Sequence, residues 1–179
     1  MTDASEVIGT YISAKDGNRP WLTGRVFAED ARLEMIVDTD AISFPSAVAG
    51  VGAITEVLVR EFVRDYENVY TLCLSSPPGA DSRQFGCDFL VGMSRRDNGE
   101  VRVGCGSYDW SFADTGPMLV DSLRITIDAM QVLAPGNLRP VMSWLSDLPY
   151  PWCPARAAAE NIPDLGGLRP VSDFLRRRA

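Results

Sequence analysis

The chain of 179 residues is 46% hydrophobic and 23% charged, a balance typical of one globular domain that folds without a disulfide or a metal. Its net charge of -7 repels phosphate backbones and anionic lipid, so we expect no nucleic-acid and no membrane partner. The absence of histidine excludes Ser-His-Asp and Cys-His nucleophile systems, histidine-ligated zinc and histidine proton shuttles.

The first part of the chain has mainly the 3.6-residue period of helices. Asp3 and Glu6 have the spacing of a capping box at the start of the first helix. Alternation with a period of two then predicts a half-buried strand, and the most regular helical pattern follows it. In order, we predict a helix, a short helix, a strand and a helix over residues 4–15, 20–27, 31–37 and 51–64.

The second part predicts an antiparallel meander of strands. Two long strands are joined by a loop whose Asn98-Gly99 pair supplies the positive backbone angles of a hairpin. A further strand precedes this hairpin and another follows it, since the alternation of apolar and polar residues continues on both sides. The predicted strands cover residues 69–74, 83–94, 101–112 and 123–129.

Beyond Leu133 the pattern becomes irregular. One more short helix is indicated within 141–148, and the proline-rich stretch that follows it is incompatible with regular structure. We therefore divide the chain into a domain over residues 1–134 and a helical or irregular extension over 135–179 that packs on the same domain. The three arginines at 176–178 are interpreted as a solvated, mobile end.

The cysteines show no short paired spacing of the kind that zinc sites or redox dithiols use. We interpret them as buried core thiols and expect no metal site and no cofactor. Since no apolar run approaches a membrane span and the first residues lack the basic start of a signal peptide, we expect a cytoplasmic location. The four cysteines are Cys73, Cys87, Cys105 and Cys153.

This order of elements predicts an α+β domain in which helices pack on the concave face of a curved antiparallel sheet. Four local features support a more specific comparison: Tyr11 in the first helix, FAEDA at 27–31, GAI at 52–54 and YDW at 108–110. In their order and spacing they resemble the nuclear transport factor 2 superfamily, also called cystatin-like, and within it the SnoaL-like and ketosteroid-isomerase-like branch. The resemblance covers residues 4–133.

The resemblance implies a conical, mostly apolar cavity that holds a small hydrophobic molecule. Tyr11 lies where isomerases of the family have a tyrosine hydrogen-bond donor, and Asp109 is the candidate for their acid donor. The position of the general base falls on Met35, which cannot exchange a proton, so the isomerase reaction is in doubt. The predicted ligand-binding residues of the cavity wall are Trp21, Met35, Phe62, Phe85 and Phe89.

Strand parity gives a prediction for the two faces of the sheet. Asp109 shares a face with Val103, and we predict that this face lines the cavity, whereas Tyr108 and Trp110 point outward. Because aromatic residues anchor interfaces, we expect a homodimer through the outer face. The alternative is that the extension, which contains Trp144, Tyr150 and Trp152, covers this face within one chain.

Two classes of function remain open. The first is a binding or assembly module, in which the cavity holds a ligand or is filled by side chains. The second is a cofactor-independent isomerase, hydratase, cyclase or epoxide hydrolase that uses Tyr11 and Asp109 as acid or hydrogen-bond donors. Each residue also has a plain structural interpretation, since Tyr11 suits a core aromatic and Asp109 suits a loop cap or a solvated rim.

Overall fold

A six-stranded sheet in the order β2-β1-β6-β5-β4-β3 organises the computed structural model, which describes residues 2–179. The sheet is mixed, because β1 runs parallel to β6 while all other neighbouring strands are antiparallel. The prediction of an α+β fold with a curved sheet is confirmed. The strands are β1 (Phe27–Val37), β2 (Ala47–Ala49), β3 (Tyr66–Cys73), β4 (Gln84–Arg95), β5 (Val101–Phe112) and β6 (Val120–Leu133).

The helices precede, interrupt and follow the sheet. They are α1 (Ala4–Asp16), α2 (Val51–Thr55), α3 (Phe62–Asp65), α4 (Leu138–Ser146), α5 (Ala155–Glu160) and α6 (Arg169–Arg178). A π-helical segment, Glu56–Glu61, joins α2 to α3 in one continuous helix, which matches the helix predicted over 51–64. The second predicted helix is a 3-10 helix, Pro20–Arg25.

The capping box predicted at the start of α1 is confirmed. The carboxylate of Asp3 accepts a hydrogen bond from the Glu6 backbone N–H at 2.8 Å, and the Glu6 carboxylate accepts one from the Asp3 backbone N–H at 3.2 Å. These bonds satisfy N–H groups that the first helical turn leaves without a partner.

The sheet has a buried core on each of its faces. We call the face that packs against α1 and the α2–α3 helix the inner face; it carries Phe89, Tyr108 and Trp110. The opposite, outer face is covered in part by the C-terminal helices. The outer-face residues beneath these helices are all apolar, namely Leu72, Leu90, Val101, Val103, Cys105 and Leu133.

The predicted assignment of the two faces of β5 is wrong. This strand pairs with β4 without a register shift, so its alternating residues form two sets, one on each face, as predicted. The set predicted to line the cavity lies on the outer face, and the set predicted to point outward lies on the inner face. Tyr108 and Trp110 point inward and are 3% and 1% exposed, and Val103 lies beneath the extension. Because both faces are buried here, the polar alternation that normally marks the solvent side is missing.

The outward placement of Tyr108 and Trp110 was the basis of the predicted dimer surface, so that surface is also wrong. Trp144 of α4 lies in the core between the outer face of the sheet and the C-terminal helices, which we call the outer core. This placement is expected if the extension covers the outer face within one chain. The arginine-rich end is not simply solvated either, because Arg178 Nε donates to Asp88 Oδ2 at 2.6 Å. The homodimer itself stays a prediction.

The hairpin between β4 and β5 is confirmed, with one difference in its loop. Gly99 has a positive φ of 72°, whereas Asn98 is not among the residues with positive φ in the described chain. The Gly99 N–H donates to the carbonyl of Arg95 at 3.0 Å, so the connection is longer than a two-residue turn. Only the glycine supplies the left-handed conformation.

All four cysteines are buried and free within residues 2–179, as predicted. Burial raises the pKa of the Cys105 thiol to about 12. Since the thiolate is the reactive species, we expect no alkylation when the folded protein is treated with iodoacetamide at pH 8. Four carbamidomethyl groups should appear after unfolding in denaturant, as measured by mass spectrometry. Rapid modification of Cys105 in the folded chain would contradict its burial.

Gly106 lies where β5 and β6 approach closely. The register of this strand pair shifts between Cys105 and Gly106, and a Cβ atom at Gly106 would overlap the backbone carbonyl of Thr126. We expect Gly106→Ala to lower the free energy of unfolding by about 1–3 kcal/mol, because the strands must separate. Gly9→Ala, in the middle of α1 with open space around it, should instead stabilise the chain by about 0.5–1 kcal/mol. Urea unfolding of both variants checks the pair, and equal effects would refute the close approach.

Candidate functional site

A small cavity of about 40 Å³ lies between the inner face of the sheet and the helices. By volume it holds roughly three water molecules. Its wall is mostly apolar, and the polar residues along it are Tyr11, Lys15 and Tyr108. The apolar wall includes Met35, Phe62, Phe89, Met93, Ile125 and Met130.

An outer groove of about 330 Å³ lies beside the cavity. Ile42, Phe44 and Phe62 line both spaces, so these three side chains stand between them. Ile42 and Phe44 belong to the segment that connects β1 to β2. Arg102 on β5 donates from its guanidinium to the carbonyl oxygen of Ala41 and thereby fixes this segment to the sheet. The groove therefore adjoins the cavity across these three side chains.

Tyr11 projects from α1 into the cavity wall and is 1% exposed. Its ring makes edge-to-face contacts with Tyr108 and Trp110, at centroid distances of 6.0 and 5.1 Å. The Tyr108 hydroxyl lies close to its hydroxyl, which otherwise has no hydrogen-bond partner within residues 2–179, and the Trp110 indole nitrogen has none. Burial raises the pKa of Tyr11, so the phenol stays protonated at neutral pH and is available as a donor.

A buried ion pair lies at the end of α1 beside the cavity. The side chains of Lys15 and Asp16 are 8% and 6% exposed, and Lys15 Nζ lies 3.0 Å from Asp16 Oδ1. Lys15 Nζ also donates to Thr71 Oγ1 at 2.7 Å. Asp16 accepts further bonds from the Thr71 N–H at 2.7 Å and from the Tyr150 hydroxyl at 2.9 Å.

Lys15 is not among the predicted site residues, although the sequence carries a signal for it. Lys15 follows Tyr11 by four residues, so both side chains emerge on the same face of α1. That face also carries Ile8 and Ile12, which are fully buried. A lysine at an apolar position of a helix should be examined for a buried partner, since an unpaired buried charge is costly.

The structure brings together some of the predicted site residues. Met35, Phe62 and Phe89 line the same cavity as Tyr11. Trp21 does not, because it is 66% exposed and stacks on the Arg25 guanidinium at 4.9 Å. Phe85 is half-buried and packs edge-on against Trp152 at a centroid distance of 6.1 Å, outside the cavity wall.

Asp109 lies on the outer face of the sheet, so the prediction that it shares a cavity with Tyr11 is wrong. Asp109 is exposed, and its neighbours in the strand register are Gly86 on β4 and Arg124 on β6. It lines a different groove, of about 600 Å³, on the outer face of the sheet, together with Ser111 and Ser122. The error follows from the reversed faces of β5.

Comparison with solved structures finds this arrangement of sheet and helices elsewhere. A nuclear transport factor 2-like superfamily protein from Salmonella enterica serovar Typhimurium has a TM-score of 0.55 at 16% identity, with 70% of this chain and 88% of that chain covered. LinA gives a TM-score of 0.56 at 10% identity, covering 72% and 85% of the two chains. The chain has the nuclear transport factor 2-like fold.

A third example of this fold comes from Catenulispora acidiphila. That protein has a ketosteroid isomerase-like fold, was solved in complex with trimethylamine, and matches at 15% identity with a TM-score of 0.52 over 67% of this chain and 83% of its own. No protein-family model and no curated protein matches the sequence. At these sequence identities the comparisons establish only the nuclear transport factor 2-like fold. The function has to be argued from the residues of the site.

Among residues 2–179, no group of three or more cysteine, aspartate or glutamate side chains is arranged to hold a metal ion. No helix in the described part of the chain is both long and apolar enough to cross a bilayer.

Proposed function

We propose that the chain binds a small, largely apolar molecule in the cavity between the inner face and the helices, with Tyr11 as a hydrogen-bond donor. The observation that carries this proposal is the buried Tyr11 hydroxyl, which lines an apolar cavity and has no acceptor within residues 2–179 besides the nearby Tyr108 hydroxyl. A buried polar group without a partner costs about 1–3 kcal/mol. An acceptor atom on a bound ligand recovers that energy and fixes the ligand's orientation.

The cavity must enlarge to hold an organic ligand. Its volume of about 40 Å³ is well below that of ordinary ligand pockets, which is about 300–1,000 Å³. Three methionines in the wall, Met35, Met93 and Met130, have flexible side chains that can repack around a guest. Displacement of Phe44 would join the cavity to the outer groove.

The enzyme alternative was an isomerase, hydratase, cyclase or epoxide hydrolase that uses Tyr11 with Asp109. Two placements weigh against it: Asp109 is on the other face of the sheet, and Met35 occupies the expected position of the base. Among the described residues that line the cavity, none carries a carboxylate. Proton abstraction beside a carbonyl needs a base within hydrogen-bond reach, so binding without turnover is the better supported function.

A cavity-enlarging variant tests the binding proposal. We expect Met130→Ala to bind toluene more tightly than the unmodified chain, because the missing side chain leaves room for a ring. Toluene should raise the melting temperature of Met130→Ala and shift the NMR signals of Phe89 and Ile125, since binding stabilises the folded state.

Val132→Ala is the matched control, because Val132 is 45% exposed and lies two residues further along β6. Its response to toluene should equal that of the unmodified chain. If toluene leaves both the melting temperature and the spectrum of Met130→Ala unchanged, the cavity is not a binding site and the proposal fails.

A further inference from the structure

The polar end of the cavity offers hydrogen-bond donors. Lys15 Nζ donates a hydrogen bond to Thr71 Oγ1 at 2.7 Å and forms an ion pair with Asp16 Oδ1 at 3.0 Å. An ammonium group has three N–H bonds, and within residues 2–179 Lys15 Nζ donates to no further oxygen; its remaining neighbour is the Phe62 ring. Tyr11, one helical turn earlier on the same face of α1, has a buried hydroxyl with no acceptor besides the nearby Tyr108 hydroxyl. Both donors line the same cavity.

Asp16 has several donors besides Lys15. Its two carboxylate oxygens accept hydrogen bonds from the Thr71 N–H at 2.7 Å, the Thr71 hydroxyl at 2.8 Å and the Tyr150 hydroxyl at 2.9 Å. Asp16 is therefore fixed to β3 and to the extension, and together with Thr71 it holds the ammonium of Lys15 in place beside the cavity.

The ammonium also lies next to the apolar wall. Lys15 Nζ is 4.9 Å from the centre of the Phe62 ring, and Phe62 lines the cavity. An acceptor bound at Lys15 would thus be attached to a part of the ligand that sits among Phe62, Phe89 and Met35. The site combines one cationic end with an apolar interior, which is the chemistry of an amphipathic acid.

We propose that Lys15 and Tyr11 together bind the carboxylate of a small amphipathic acid whose apolar part occupies the cavity. This inference rests on the binding function proposed above and specifies its ligand class. A carboxylate has two oxygens, so it can accept from both donors at once. A carboxylate gives Lys15 an ionised acceptor and makes the Tyr11 hydrogen bond charge-assisted as well, whereas an uncharged ligand of the same shape leaves the Tyr11 bond neutral and lacks the second oxygen, so the acid is preferred.

The test compares a matched acid and ketone on the full chain. The acid is 3-methylbutanoate and the ketone is 4-methyl-2-pentanone, which replaces one carboxylate oxygen by a methyl group and keeps the branched tail. We expect the acid to bind at least tenfold more tightly in an NMR titration, with shifts at Tyr11, Phe62 and Phe89. Equal affinities, or shifts confined to residues outside the cavity, would overturn the assignment of a carboxylate ligand.

Variants of Lys15 test the role of the residue. In Lys15→Met the acid should lose its advantage and bind no more tightly than the ketone, whose affinity should change by less than twofold. Lys15→Arg keeps the charge and should retain part of the preference for the acid. A preference that persists in a folded Lys15→Met variant would show that another group binds the carboxylate. The acid-ketone comparison in the unmodified chain needs no variant, so it stands even if Lys15→Met does not fold.

Toluene separates failure of this inference from failure of the binding function. If toluene binds to Met130→Ala while the acid shows no advantage over the ketone in the unmodified chain, the carboxylate inference is wrong and the binding function stands. If neither toluene nor the acid binds in the cavity, both proposals are wrong.

Discussion

Replacing Trp110 by alanine should lower the free energy of unfolding by about 3–5 kcal/mol. The indole is 1% exposed and packs against Tyr11 and Tyr108 at centroid distances of 5.1 and 5.4 Å. Its removal leaves a void between α1 and the sheet that rigid neighbouring rings cannot fill. Chemical denaturation followed by circular dichroism measures the change.

Trp21→Ala is the matched control for this variant. Trp21 is 66% exposed, so its removal should change the free energy of unfolding by no more than about 0.5 kcal/mol. The pair distinguishes the inner placement of Trp110 from a position on an exposed sheet face. Similar small effects of both substitutions would mean that Trp110 lies on an exposed face of the sheet, as strand parity alone predicts.

Local patterns predicted the elements of this fold well because each pattern has a local cause. The Asp3–Glu6 capping box fixes the start of α1, and Gly99 supplies the one left-handed residue that the β4–β5 hairpin needs. The faces of β5 could not be predicted in the same way. Residues on both sides of that strand are apolar, and only the position of α4 to α6 decides which side meets the extension.

The candidate site was predicted in part for a related reason. The family resemblance proposed Tyr11 and Met35 as site residues, and the periodicity of α1 and β1, each of which has one buried face, agrees with the inward direction of both side chains. Asp109 was misplaced together with the rest of β5. The role of Asp16 depends on Thr71 and Tyr150, which are 55 and 134 residues away in the chain. No short-range pattern contains contacts of that separation.

Tyr150 also shows that the extension contributes to the site as well as to the outer core. Its hydroxyl lies 2.9 Å from Asp16 Oδ2, and Asp16 in turn holds Lys15 beside the cavity. Loss of the extension would therefore disturb both the packing of the sheet and the polar end of the cavity.

Deleting residues 135–179 should abolish cooperative folding. The deletion removes α4, α5 and α6 and exposes the six apolar side chains of the outer core that the sheet contributes. Each apolar side chain transferred to water costs about 1.5–3 kcal/mol, so the total for six is about 9–18 kcal/mol. That is comparable to the entire stability of a typical domain, which is about 5–15 kcal/mol. The shortened chain should give a poorly dispersed NMR spectrum and no sharp thermal transition.

A shorter deletion separates loss of the outer core from loss of the chain end. Removing residues 177–179 breaks the ion pair between Arg178 and Asp88 but keeps Val171, Phe174 and Leu175, which are the buried residues of α6. Because the ion pair is partly exposed to solvent, we expect its loss to cost no more than about 1 kcal/mol. A dispersed spectrum and a cooperative transition for residues 1–134 would contradict the larger prediction, since the sheet would then be stable with its apolar outer face in water.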